Sequence, residues 1–131
     1  NEIKDLCYAA RPMMGIITNI GVSHIERLGS RENILKAKLE LGDIAEESHR
    51  EIGTLCAAEG IDLLLTWGEW AAYATRSARA AGMESIHFEK KEDLTRYLIA
   101  GARRGDVIWC KASHGMALEE VISAFYREFH P

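Results

Sequence analysis

No run in this 131-residue chain is apolar for long enough to cross a bilayer, and no signal peptide opens it, so the expected setting is the cytoplasm. Positive charge is also in short supply. Sixteen Lys and Arg against twenty Asp and Glu leave a net charge of -4, which argues against nucleic acid or an anionic membrane as the main partner. Cysteine is scarce and odd in number. Cys7, Cys56 and Cys110 are widely spaced in apolar surroundings, which excludes a disulfide framework and fits buried thiols in a reducing compartment. The dipeptide Gly-Lys does not occur, so a phosphate-binding loop of the form G-x-x-x-x-G-K-[ST] cannot exist. Repeats, low-complexity tracts and Pro/Gly/Ser-rich linkers are missing as well. What remains is 47% hydrophobic and 27% charged, ordinary for one globular domain large enough to bury a core.

Residues 2–10 carry Ile3, Leu6, Cys7 and Ala10 at helical spacing, already so close to Asn1 that the chain reads as a piece beginning mid-domain. Arg11-Pro12 ends that pattern, since the residue before proline avoids the α region. "MGIITNI" (14–20) is a β-branched apolar run and predicts a buried strand. Ser30 then suits an N-cap, with Glu32 in the first turn and Gly42 just past the end of a helix; with only Gly42 interrupting the pattern, that helix is also able to continue toward residue 58. From residue 44 helices and short strands alternate: helix to Gly60, strand "IDLLLTW", helix to Gly82, strand "SIHF", helix "KEDLTRYLIAGA", strand "DVIWCK", helix "ALEEVISAFYREF". The expected fold class is α/β, a small and mainly parallel sheet with flanking helices, with about three strands from residue 44 on and the strand at 14–20 joining or flanking them. A soft change of composition at 41–43 is the only candidate boundary.

Two stretches carry polar groups where chemistry would use them. In "TNIGVSHIERLGSRENILKAK" (18–38), Asn19 stands at the carboxyl end of a predicted strand, where open α/β sheets hold their ligands. His24 and Glu26 lie in the loop beyond. Lys38 follows Ile34 by four residues and precedes Leu41 by three, which puts it on the inward helix stripe; the plain alternative is a lysine that snorkels to water. In "GDVIWCKASHGMALEE" (105–120), Lys111 and Ser113 end a strand and the amides from His114 onward open a helix, a geometry that suits a carboxylate or phosphate. An ordinary strand-to-helix turn with an exposed lysine would have the same sequence.

The segments "EIKDLCYAARP", "ITNIGVSHIERLGSRENILKAKLEL" and "GDVIWCKASHGMALEE" resemble those of the Mur ligases, which build the peptide stem of bacterial cell-wall precursors. The form "H-[LIM]-E-x-x-G-S" is similar to that of members joining D-alanyl-D-alanine to a UDP-muramoyl tripeptide, with ATP and Mg2+ as cofactors. The resemblance implies that His24 helps hold the metal and that Lys38 carries a carbamate serving it in catalysis. A desolvated lysine has a lowered pKa and can add carbon dioxide, giving the anionic oxygen that magnesium prefers. Asn19 and Glu26 take supporting polar roles on the cofactor side, while Lys111, Ser113 and His114 take the substrate.

The resemblance also implies two pieces: residues 1–42 as a remnant of the central, ATP-cleaving domain, and 43–131 as a Rossmann-like C-terminal domain. The chain departs from the family pattern at several points. Ala112 stands for a glycine and His114 for an arginine, which removes a permanent charge. The segment "GDIAEESHREIGTLC" is shorter than its counterpart, and His49 within it reads as a solvated helix residue rather than a ligand. The family's "DxYNANPxS" segment and the strand before "LGDM" are missing along with the phosphate loop. The expectation is therefore a ligase-derived chain that is inactive alone; a non-catalytic α/β module binding a small anion or a partner chain is the alternative. The sequence leaves the oligomeric state open.

Overall fold

Residues 14–18, 31–112 and 118–130 are described by a computed structural model, with the backbone alone described for 31–44. The elements are β1 (Met14–Thr18), α1 (Arg31–Ala58), β2 (Leu63–Trp67), α2 (Ala71–Ala80), β3 (Glu84–Phe88), α3 (Lys91–Gly101), β4 (Ile108–Lys111) and α4 (Leu118–Glu128).

Two helix ends follow from glycine at one position each. At Gly60 (φ 76°) the Gly60 amide bonds Ala57 O and the Ile61 amide bonds Cys56 O; at Gly82 (φ 89°) the Gly82 amide bonds Arg79 O and the Met83 amide bonds Ala78 O. Both are Schellman closures, in which the left-handed residue lets the last carbonyls find donors. Ile61 packs into the core cluster that holds Cys56, and Met83 packs on the same cluster beside Ala78. Gly42, by contrast, lies inside α1: one glycine costs about 1 kcal/mol against alanine in a helix interior, too little to break a helix with no strand following it. Reading Gly42 as a stop is thereby corrected, and the continuous helix is the one that forms.

The four strands are all parallel, in the order β3-β2-β1-β4. β1 lies inside the sheet, with Ile17 in register with Thr66 on one side and Lys111 on the other. All five of its residues are buried, as its uniformly apolar sequence requires. Period-2 alternation sorts side chains onto two faces. Ile17, Leu64 and Trp109 meet α1 and α2 through Cys56, Ala74 and Ala78. Met14, Ile16 and Leu65 meet α3 and α4 through Leu94, Leu98, Leu118 and Val121. The chain winds outward from β1 to β2 and β3, then crosses to β4 on the other side, so the winding reverses between β1 and β4.

Gly53 brings α1 and α2 close together. A Cβ there would lie 2.1 Å from the Ala74 carbonyl oxygen and 2.1 Å from Ser77 Oγ. The Ser77 hydroxyl uses the same closeness to donate to Arg50 O at 2.7 Å. The reading of His49 as solvated is also corrected. Its side chain is fully buried, and Nδ1–H donates to Ala45 O at 2.6 Å. One turn of the α1 face toward the sheet thus includes an imidazole whose polar edge is satisfied by its own helix, which apolar periodicity alone does not reveal.

Candidate functional site

Open parallel sheets bind ligands outside the carboxyl ends of their strands, where the winding reverses. Here that crevice opens between β1 and β4. β1 ends on Thr18, whose side chain is completely buried and whose Oγ1 has no hydrogen-bond partner among the described residues. A hydroxyl enclosed without a partner costs on the order of 1–3 kcal/mol, so its position calls for a reason. β4 ends on Lys111, half-buried on the α1–α2 face, one strand away. Thr18 faces the opposite side of the sheet, toward the start of α4, where Leu118 is buried.

At the carboxyl end of β2 a second group gathers. Trp67 lies under the Lys91 ammonium, 5.6 Å from Nζ to the ring centroid, and Lys91 pairs with Glu120 in the first turn of α4. On the other face, Thr66 Oγ1 sits 2.6 Å from Thr75 Oγ1 and 2.8 Å from His87 Nδ1, and Ser85 Oγ donates to Leu64 O at 2.9 Å. Burial lowers the His87 pKa, with Arg76 and Arg79 adding to the effect and Glu89 opposing it. A neutral ring with its proton on Nε2 accepts the Thr66 hydroxyl at Nδ1, and the hydroxyl chain then closes with every member satisfied. None of these residues was singled out by the sequence. A threonine inside "LLLTW" is the one available signal, since a lone hydroxyl in a buried strand needs a partner.

Of the residues expected at the site, Asn19, His24, Glu26, Ser113 and His114 lie outside the described residues. Lys38 is in α1. That helix of 28 residues is about 42 Å long, whereas a five-residue strand spans about 17 Å. Because the carboxyl end of α1 feeds the amino end of β2, its first half extends past the carboxyl ends of the strands, on the same side as Thr18 and Lys111. Among the described residues no three His, Cys, Asp or Glu side chains are grouped to hold a metal. The described groups at the crevice are a hydroxyl and an ammonium, which suit an anion.

The class is thus a doubly wound α/β protein, an all-parallel four-stranded sheet with helices on both faces. The family model of the Mur ligase middle domain matches residues 1–98, and the chain belongs to that family. The chain is 34% identical over 100 residues to the UDP-N-acetylmuramoyl-tripeptide--D-alanyl-D-alanine ligase of Bacillus subtilis (strain 168). The aligned part is 75% of this chain but 22% of that enzyme, so the chain spans about a fifth of its relative. The family match crosses residue 42 and assigns the stretch up to 98 to the middle domain, not to the C-terminal domain that the motif resemblance implied. No helix among the described residues is long and apolar enough to cross a membrane.

Proposed function

We propose that this chain is part of an ATP-dependent ligase that adds D-alanyl-D-alanine to UDP-N-acetylmuramoyl-tripeptide in the cytoplasm, and that it is inactive by itself. The observation carrying this reading is the combination of specific motifs at 18–38 and 105–120 with the lack of any Gly-Lys dipeptide. Phosphoryl transfer rests on positioning and charge stabilisation, supplied by successive amides, a lysine on the β/γ-phosphates and a hydroxyl on the metal. Without that cradle the remaining groups have nothing to act on. In the intact enzyme, His24 and a carbamylated Lys38 would serve Mg2+, Asn19 and Glu26 would support the nucleotide side, and Lys111, Ser113 and His114 would meet the substrate. The motif resemblance at 105–120 supports a C-terminal-domain origin for the stretch beyond residue 98, which the family match does not reach.

Calorimetric titration with ATP and Mg2+, followed by phosphate release with the muramoyl tripeptide and D-alanyl-D-alanine, tests this. No tight ATP binding and no turnover are expected; clear turnover by the purified chain overturns it. A second reading is a non-catalytic module that binds a small anion at the crevice. It is favoured by the buried Thr18 hydroxyl at the winding reversal, which has no partner among the described residues. Titration with pyrophosphate, read by shifts in the amide resonances of Thr18, Lys111 and Ala112, would support it, and unmoved resonances would exclude it.

A further inference from the structure

At the amino ends of the strands, opposite the crevice, a cavity of about 650 Å3 opens between the end of α3, the turn entering β4, and the last turns of α4. Ligand pockets typically fall in the range of about 300–1,000 Å3. Its walls are Ile108, Trp109, Ile122, Phe125 and Phe129. Phe125 and Phe129 stack at 4.7 Å between centroids and 19° between planes, which makes one flat aromatic side. Cys110 also faces the cavity, and burial pushes its thiol up to about 11, the behaviour of a group in dry, apolar surroundings. Tyr126, one of the large hydrophobic side chains exposed among the described residues, borders the same opening.

The mouth is cationic. Gly105, with φ 95°, closes a tight turn in which the Asp106 amide donates to Arg103 O at 3.0 Å. The turn sets Arg103 and Arg104 side by side at the rim. Asp106, the acidic residue of the lining, accepts the Arg103 amide at 2.7 Å. The two guanidinium groups are exposed and make no ion pair among the described residues.

We propose that this cavity is a second ligand site, which takes an amphipathic organic anion: an apolar chain or ring inserts between Ile108 and Cys110 of β4 and the Phe125–Phe129 wall, and its carboxylate meets Arg103 and Arg104. The match is one of charge and shape together. An apolar interior alone would accept any greasy molecule, but paired guanidiniums at the rim select an anionic head, with the forked geometry suited to a carboxylate. The site stands apart from the ligase reading, because it occupies the other end of the sheet and uses none of the same residues.

Dodecanoate and dodecyltrimethylammonium are the probes, titrated into the full chain and followed by amide resonances. Dodecanoate should shift Ile108, Trp109, Ile122 and Phe125 and bind at least about tenfold tighter than the cationic amphiphile. The double variant Arg103→Gln/Arg104→Gln, with both changes on exposed side chains, should keep the thermal midpoint and lose that tenfold preference. Equal affinity for the two head groups, an unchanged preference in the double variant, or shifts confined to other regions would each overturn the proposal. So would a dimer seen by sedimentation whose formation shifts the same resonances without any ligand, since the face would then belong to a second copy.

Discussion

At the end of β1 a threonine hydroxyl is enclosed with no partner among the described residues, while on the neighbouring strand a similar hydroxyl is bonded on both sides. Thr66 is held by Thr75 and His87; Thr18 has no such hold among the described residues. Replacing Thr18 by valine keeps the shape and removes the unsatisfied group, so Thr18→Val should raise stability by about 1 kcal/mol in urea unfolding. If the hydroxyl serves an anion at the crevice, the same variant should bind pyrophosphate more weakly. A loss of stability would mean that the hydroxyl has a partner after all. His87 gives a prediction in pH. Its pKa is lowered in the folded state, so below the ordinary histidine value of 6.5 the unfolded chain takes up a proton that the native chain resists. Stability from this group is intact above that pH and falls as the pH drops through the window beneath it. Comparing urea midpoints at pH 7.5 and 5.5, His87→Gln should show a smaller acid-side loss than the parent.

The tight crossing of α1 over α2 makes the helix pair sensitive to a single methyl group. Alanine at 53 would gain about 1 kcal/mol in helix propensity over glycine. Its Cβ would overlap the Ala74 carbonyl oxygen, a backbone atom that cannot swing aside, and would displace the Ser77 hydroxyl from Arg50 O. Overpacking of this kind costs about 1–3 kcal/mol, and the lost hydrogen bond adds to it. Gly53→Ala should therefore destabilise the protein by about 2 kcal/mol, measured by chemical denaturation. A neutral or stabilising result would mean that the helices can separate without loss.

For the molecule as a whole, the position of β1 governs cooperativity. β2 and β4 bond to β1 and not to each other, so the sheet has no continuity without Met14–Thr18. A chain of residues 43–131 would expose the inner edges of both strands and remove Ile16 and Ile17 from the two cores. It should show no cooperative thermal transition and poorly dispersed amide resonances, whereas the full chain unfolds as one unit. A folded 43–131 fragment would show that the remaining strands can pair without β1.

The sequence by itself determined the elements and their class. Apolar runs of four or five residues, alternating with helical stripes that end on Gly60 and Gly82, are local signals with local physical causes: left-handed turns need glycine, and parallel strands buried on both faces need unbroken hydrophobicity. The family was legible for the same reason, since the motif at 18–38, with His24 and Lys38, is contiguous in sequence. Only the tertiary structure decided that β1 occupies an inner place, because strand order depends on which edges meet after distant segments collapse. It also decided that His49 is buried, as a polar residue reveals its surroundings only when its neighbours are packed. The Thr66–Thr75–Ser85–His87 chain and the cavity between α3, β4 and α4 likewise join residues far apart in sequence, and no spacing rule connects residues that come together only by packing.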